Sequence, residues 1–447
     1  FVKWDDQPAS PAAARESLLR AMWHAETAPR GPVYVNLDAH MQEAPLDAPL
    51  PPVNTTRYVP AASAAPDAER IREAAALLRS AKHPLLLIGR VSRSATAWDA
   101  RVALAEALGA NVVTDLKVGA AFPTDHPLHI AAPGILLPAA AATAIAGADV
   151  ILSLDWVDLA GTLQTACGGE PAATVIQVSL DHVLHNGWSM DHQAHPPVDV
   201  FIAAEPDAVV PALHQALGTV VATRALPQRD RAFTPASSAN GELTTDDLAL
   251  ALRAALEDRK ASLAHLPLSW NGACWPFRGP LDFLGSDGGG GIGAGPGIAV
   301  GAALALRGTD ALTVAVCGDG DFLMGATALW TAVHYRIPVL IVVANNRSFY
   351  NDEVHQERMA RARGRPVENK WIGQRMSDPD IDLAGIGRAQ GAQGFGPVAT
   401  RDDLATAFAA AINVVAEGGV AVVDVRVQPG YTPSMMGVAA AAPGKRG

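Results

Sequence analysis

Cysteine is scarce in this chain. Three occur in 447 residues, Cys167, Cys274 and Cys317, an odd number, widely spaced and without a CxxC pair. This argues against a disulfide framework or a thiolate zinc site and suits a reducing, cytoplasmic compartment. Basic residues are in the minority: 34 Lys and Arg against 45 Asp and Glu leave a formal net charge of −11. With no long basic run, nucleic acid and acidic membranes are not expected partners. Long apolar runs are missing too. The strongest candidate, GILLPAAAATAIAGADVIL, carries Pro138 and Asp149 and reads as a helix followed by a strand rather than a membrane span. Aromatics make up 5% of the residues and no signal-peptide pattern follows Phe1. What is present is a chain that is 49% hydrophobic and rich in Gly, Ala and Pro, enough for two or three domains with ordinary cores.

The opening FVKWDDQPAS leads into a helical RESLLRAMWHAETA and a strand-like GPVYVNL. One helix and one strand do not bury a core, so residues 1–50 read as the end of a domain that begins upstream. A Pro- and Thr-rich stretch between Asp47 and Asp67 reads as a linker. From 66 to 217 helical and apolar segments alternate: IREAAALLRSA, PLLLIG, WDARVALAEALG, NVVTDL, DVILSL, ATVIQVSL. That alternation predicts a parallel sheet with helices on both faces. Residues 218–243 form a second linker. A second α/β block begins at LTTDDLALALRAALE, with Thr245 as a candidate helix cap, and ends at VAVVDVRV near 428. Residues 429–447 read as a fraying tail. The predicted fold class is α/β: two consecutive doubly wound parallel-sheet domains preceded by the tail of a third.

Chemistry concentrates in GDGDFLMGATALWTAVHYRIPVLIVVANN, residues 318–346. LTVAVC is a short buried strand that runs into Gly318-Asp319-Gly320. MGATALWTAVHYR has helical periodicity, and PVLIVVA is the next strand, ending in Asn345-Asn346. A right-handed crossover sets the C-terminal ends of two such parallel strands side by side, where open α/β sheets bind ligands. Asp319 and Asn346 can thus face one ion. A carboxylate, an amide oxygen and a nearby backbone carbonyl are hard ligands, suited to Mg²⁺ or Ca²⁺ with phosphate oxygens and water, not zinc. A diphosphate could lie against the N–H groups of Gly320 and Asp321.

GDG, twenty-four residues, then NN resembles the cofactor signature of thiamine diphosphate enzymes. The whole chain resembles the superfamily of acetolactate synthase, benzoylformate decarboxylase and 2-hydroxyacyl-CoA lyase. In that likeness residues 1–50 end the pyrimidine-binding domain, residues 66–217 with FPTDHP form the middle domain, and residues 244–428 bind thiamine diphosphate. The resemblance implies that Asp319, Asn346 and the main-chain carbonyl of Ser348 hold Mg²⁺, with Gly318, Gly320 and Asp321 beside the diphosphate. In SDGGGGIGAGPGIAVGAALAL it makes Ile292 the wedge that bends the cofactor and the Gly290 carbonyl the acceptor for its amino group. It further implies a C–C bond lyase or transferase acting on a 2-oxo acid or 2-hydroxyacyl compound, working as a homodimer or homotetramer. The catalytic Glu of the family belongs to the first domain, upstream of this chain, and neither Glu16 nor Glu26 takes its place.

Two rival readings stand beside this one. Gly288, Gly290 and Gly293 also fit a GxGxxG fingerprint, which would make a nicotinamide-dependent oxidoreductase, although PLDFLGSD is a poor strand to precede it. A non-catalytic cofactor-binding subunit is the other. Among lesser candidates, Tyr350, Asn351 and His355 could touch substrate from a lid formed by FYNDEVHQERMARARGRP. The aromatics of SWNGACWPFRGP could wall a pocket or merely pack. IGRVSRSATAW could hold a phosphate, although neither FAD nor coenzyme A is claimed there. Ile292 could be core, and His334 is assigned no role.

Overall fold

Short β-branched runs and Ala-rich helices alternate along the chain, and two five-stranded sheets result. The computed structural model describes residues 2–46, 48–181, 194–218, 241–286 and 291–430, with positions 233, 235 and 238 between. Two compact units are formed: residues 1–91, 103–111 and 144–225, and residues 92–102, 112–143 and 226–447. The predicted linker at 218–243 and the tail at 429–447 lie mostly outside the described residues.

Near the start, β1 (Trp4–Asp6) pairs in parallel with β2 (Val33–Val35) across the helix Pro11–Glu26, which Ser10 caps. The first large sheet contains β3 (Pro84–Ile88), β4 (Asn111–Val113), β5 (Val150–Leu154), β6 (Thr174–Val178) and β7 (Val200–Ile202), in the order β4-β3-β5-β6-β7. The pairs β3–β5, β5–β6 and β6–β7 run parallel. Every residue of β3 and β5 is buried, as a sheet covered on both faces requires. The helix Ala95–Leu108 stops before Gly109, whose φ of 56° is the left-handed C-terminal conformation.

The second sheet contains β8 (Ala261–His265), β9 (Leu312–Gly318), β10 (Val339–Asn345), β11 (Gln393–Val398) and β12 (Val420–Arg426), in the order β11-β12-β10-β9-β8 with all neighbours parallel. Its side chains split by strand parity into two cores. Val314, Val316, Leu340, Val342, Val423 and Val425 join one, together with Leu248, Phe408 and Ile412 from the helices. Ala315, Cys317, Ile341, Val343 and Val422 join the other, with Ala299, Phe322 and Leu329. This period of two on each strand is what holds the register.

Two local departures from expectation have physical reasons, and one open alternative is decided. The helix at 245–256 is capped by Thr244, one residue before Thr245, because Asp247 then completes a reciprocal capping box. The crossover helix starts on Asp319 itself and is interrupted after Gly325, giving Asp319–Gly325 and Ala328–His334. A Cβ on Gly325 would lie 2.4 Å from the Gly293 carbonyl, so the break sits at a close backbone approach. Trp270, Trp275 and Phe277 are buried in the core and are not pocket walls.

Candidate cofactor site

Level pairing of Gly318 with Ala344 puts the ends of β9 and β10 side by side. The next residues of each strand therefore leave the sheet together. Asp319 Oδ2 accepts the Ser348 N–H at 3.1 Å, and Asn346 Oδ1 accepts the same N–H at 2.9 Å. Two side-chain oxygens from opposite ends of the crossover thus converge on one amide. Asp319 Oδ1 accepts from Gly320 N at 2.8 Å, so this donor, read as a diphosphate contact, is engaged by Asp319.

Asp319 is 4% exposed. Burial pushes its carboxyl up to about 6, against the pull of the Gly320 and Ser348 amides. A buried carboxylate that its hydrogen bonds do not fully compensate marks a candidate functional site.

The adjoining Asn345 does something different. It is buried within β10, its Nδ2 donating to Asp424 Oδ1 at 2.8 Å and its Oδ1 accepting from Arg347 N at 3.1 Å. Asp424 is fully buried and its carboxyl is raised by that burial. Of the asparagine pair, one stabilises the sheet and the other faces the cavity.

That cavity, about 380 Å³, is lined by Ile292, Gly318, Asp319, Gly320, Asp321, Asn346 and Ser348 together. Gly290 lies outside the described residues, as does Gly288. Ile292 is 50% exposed, so it is not a core residue but an apolar side chain presented to the cavity. Tyr350 and Asn351 also line it, whereas His355 is exposed outside the lining. His334 stacks on Trp330, with ring centroids 4.7 Å apart.

Several neighbours were not legible as site residues. Phe349 packs its ring where a Gly320 side chain would be: a Cβ there would lie 2.1 Å from the ring. Glu353, 3% exposed, accepts from Ser348 Oγ and faces Arg375 Nε at 3.5 Å. His265, at the end of β8, brings Nε2 within 3.2 Å of Asp321 Oδ2. The Asp321 carboxylate is held below the usual range: burial pushes it up, but the hydrogen bond and charge of His265 and the Gly295 and Gly293 amides outweigh that. In IGRVSR, Arg90 is engaged by Asp155 and Asp181, which removes it as a ready phosphate ligand.

Comparison with known proteins fits this geometry. The thiamine pyrophosphate enzyme central domain matches residues 71–213, and the C-terminal TPP binding domain of the same family matches residues 268–425. A probable acetolactate synthase large subunit of Methanocaldococcus jannaschii is 25% identical over 400 residues, covering 85% of this chain and 63% of the relative. The chain thus spans less than two thirds of that relative's length. Benzoylformate decarboxylase of Pseudomonas aeruginosa is 26% identical over 420 residues, covering 90% of this chain and 72% of the relative. The solved structure of a thiamine diphosphate-dependent 4-hydroxybenzoylformate decarboxylase of Rhodococcus jostii RHA1 shares the fold, with a TM-score of 0.76 at 24% identity over 96% of this chain and 77% of that one. No helix among the described residues is long and apolar enough to cross a membrane. With two adjoining domains of one family matched over about two thirds of its residues, the chain belongs to the thiamine pyrophosphate enzymes.

Proposed function

We propose that this protein is a thiamine diphosphate- and Mg²⁺-dependent lyase or transferase that breaks or forms a C–C bond in 2-oxo acids or 2-hydroxyacyl compounds. The observation that carries the reading is the convergence of Asp319 Oδ2 and Asn346 Oδ1 on the Ser348 amide. The residues fit the group: an all-oxygen donor set suited to Mg²⁺, a carboxylate raised by its burial, and a half-exposed Ile292 facing the same space. Asp319, Asn346 and Ser348 would hold the metal. The chemistry supplied by bound thiamine diphosphate is cleavage beside a carbonyl, its thiazolium ring serving as the electron sink.

The chain's own residues bind, orient and exclude water. Phe349 closes over Gly320, Ile292 offers an apolar support, and Tyr350 and Asn351 stand at the rim where the reacting group would project. Met324, Trp330 and Tyr335 are 65%, 54% and 61% exposed. Leu304 is 51% exposed as well, and these exposed apolar side chains are candidates for cover by a second copy. The nicotinamide alternative is weakened by Asp321, which occupies the Gly293 and Gly295 amides that a dinucleotide phosphate would need.

The test is a thermal melt with Mg²⁺ and thiamine diphosphate, beside NAD, in the wild type and Asp319→Ala. A midpoint rise with the first pair alone, lost in the variant, is expected. A rise with NAD instead sinks the reading. Turnover of pyruvate, benzoylformate and a 2-hydroxyacyl-CoA by the full-length enzyme then selects the reaction.

A further inference from the structure

The helix Ala294–Ala305 opens on Gly293, whose φ is 98° and which has no side chain to cap the first turn. The amides of such a turn have no partner within the helix. Here the partner comes from another segment. Asp321 Oδ1 accepts from Gly293 N at 2.7 Å and from Gly295 N at 3.2 Å. Its Oδ2 is sealed from solvent and faces His265 Nε2. Gly295 is required for this approach: a Cβ there would lie 2.1 Å from Asp321 Oδ2 and 2.8 Å from Cys317 Sγ. One carboxylate therefore gathers the end of β8, the first turn after β9 and the glycine-rich turn.

We infer that Asp321 is a positioning residue: its side chain staples the glycine-rich turn to the metal-binding strand end and so fixes where Ile292 stands relative to Asp319. Asp321 is two residues from Asp319, and Ile292 adjoins Gly293, so the link between the two halves of the cradle is short and stiff. The inference rests on the thiamine diphosphate reading for its consequence, though not for its geometry. A bent cofactor must touch both Ile292 and the metal that Asp319 holds. Inorganic pyrophosphate with Mg²⁺ touches only the second. A loosened staple therefore separates the two ligands.

The experiment compares the wild type, Asp321→Ala and Asp321→Asn in the full chain. Calorimetric Kd values are taken for Mg²⁺–thiamine diphosphate and for Mg²⁺–pyrophosphate. Misplacing a positioned group by an ångström weakens function by up to about a hundredfold. Asp321→Ala is thus expected to bind the cofactor about 10- to 100-fold more weakly while pyrophosphate stays within about twofold. Asp321→Asn, which keeps an oxygen for both amides, recovers most of the loss. Equal losses for both ligands, or none for either, overturn the inference.

Amide hydrogen exchange supplies a ligand-free arm. Protection at Gly293 and Gly295 falls in Asp321→Ala while β9 and β10 keep theirs, and unchanged protection refutes the staple. If the wild type binds no cofactor, the proposed function fails and exchange alone decides the staple. His265, Cys317 and Asp321 offer donor atoms all within 4.8 Å of one another. A Co²⁺–thiolate absorption band lost in Cys317→Ser would make Asp321 a ligand of a soft metal and also overturn the assignment.

Discussion

The Asp319→Asn variant should be more stable and unable to bind the proposed Mg²⁺. The carboxyl of Asp319 stands at about 6 rather than the ordinary 3.8 because burial disfavours its charge. That difference corresponds to about 3 kcal/mol of destabilisation when the group is ionised. Asparagine removes the charge at constant shape, but only one of its two head atoms is an oxygen. Asp319 satisfies Gly320 N with one oxygen and Ser348 N with the other, so one of those amides must face an NH₂ group. The lost hydrogen bond offsets about 1–1.5 kcal/mol, which leaves a net gain of about 1.5–2 kcal/mol at pH 8. A carboxyl raised on folding holds its proton more tightly in the folded state. Its penalty is therefore full above pH 6, shrinks as pH falls through 6 and vanishes below about 4. The variant's advantage should be largest at pH 8 and fall by about 1.4 kcal/mol, to under about 1 kcal/mol, at pH 5. Urea denaturation of both proteins in EDTA at the two pH values reads this directly. Mg²⁺ with thiamine diphosphate should then raise the midpoint of the wild type only. A variant that is less stable at pH 8, or an advantage that grows on acidification, refutes the account of a buried charge awaiting a cation.

Other outcomes follow from the same geometry. Asn345→Ala strips the fully buried Asp424 of the Asn345 amide and should cost about 2–4 kcal/mol in urea unfolding. Asn346→Ala should change stability by under about 1 kcal/mol yet abolish the Mg²⁺–cofactor shift in a thermal melt, so the two neighbours separate stability from binding. Gly320→Ala drives a methyl into the Phe349 ring and should destabilise by about 1–3 kcal/mol. Part of that returns in the Gly320→Ala, Phe349→Ala double variant, measured as a double-mutant cycle.

Much of the fold is visible in the sequence because central parallel strands must be apolar on both faces. PLLLI, VILSL and VLIVVAN therefore stand out from their surroundings. Edge strands are under no such demand. β8 and β11, the outer strands of the second sheet, went unread; β11, QGFGPV, holds two glycines and a proline. At the site, the spacing between GDG and NN reports a crossover, and a crossover fixes adjacency, so the meeting of Asp319 with Asn346 was legible. The division of labour between Asn345 and Asn346 was not, since it depends on Asp424, seventy-nine residues from Asn345. His265 and Glu353 escaped for the same reason. Neither carries a local pattern, and each matters only through a partner that tertiary folding supplies.

The ring of Phe349 resting on Gly320 bears on how this region can be recombined. The two residues follow neighbouring strands, one just past β9 and the other just past β10. They are keyed to each other by shape. A chimera that imports the first strand end from a relative, and keeps the second, inherits half of a matched pair. Breakpoints placed outside 312–349 keep lock and key together, so the exchangeable module at this site is the whole strand–crossover–strand unit rather than either signature motif.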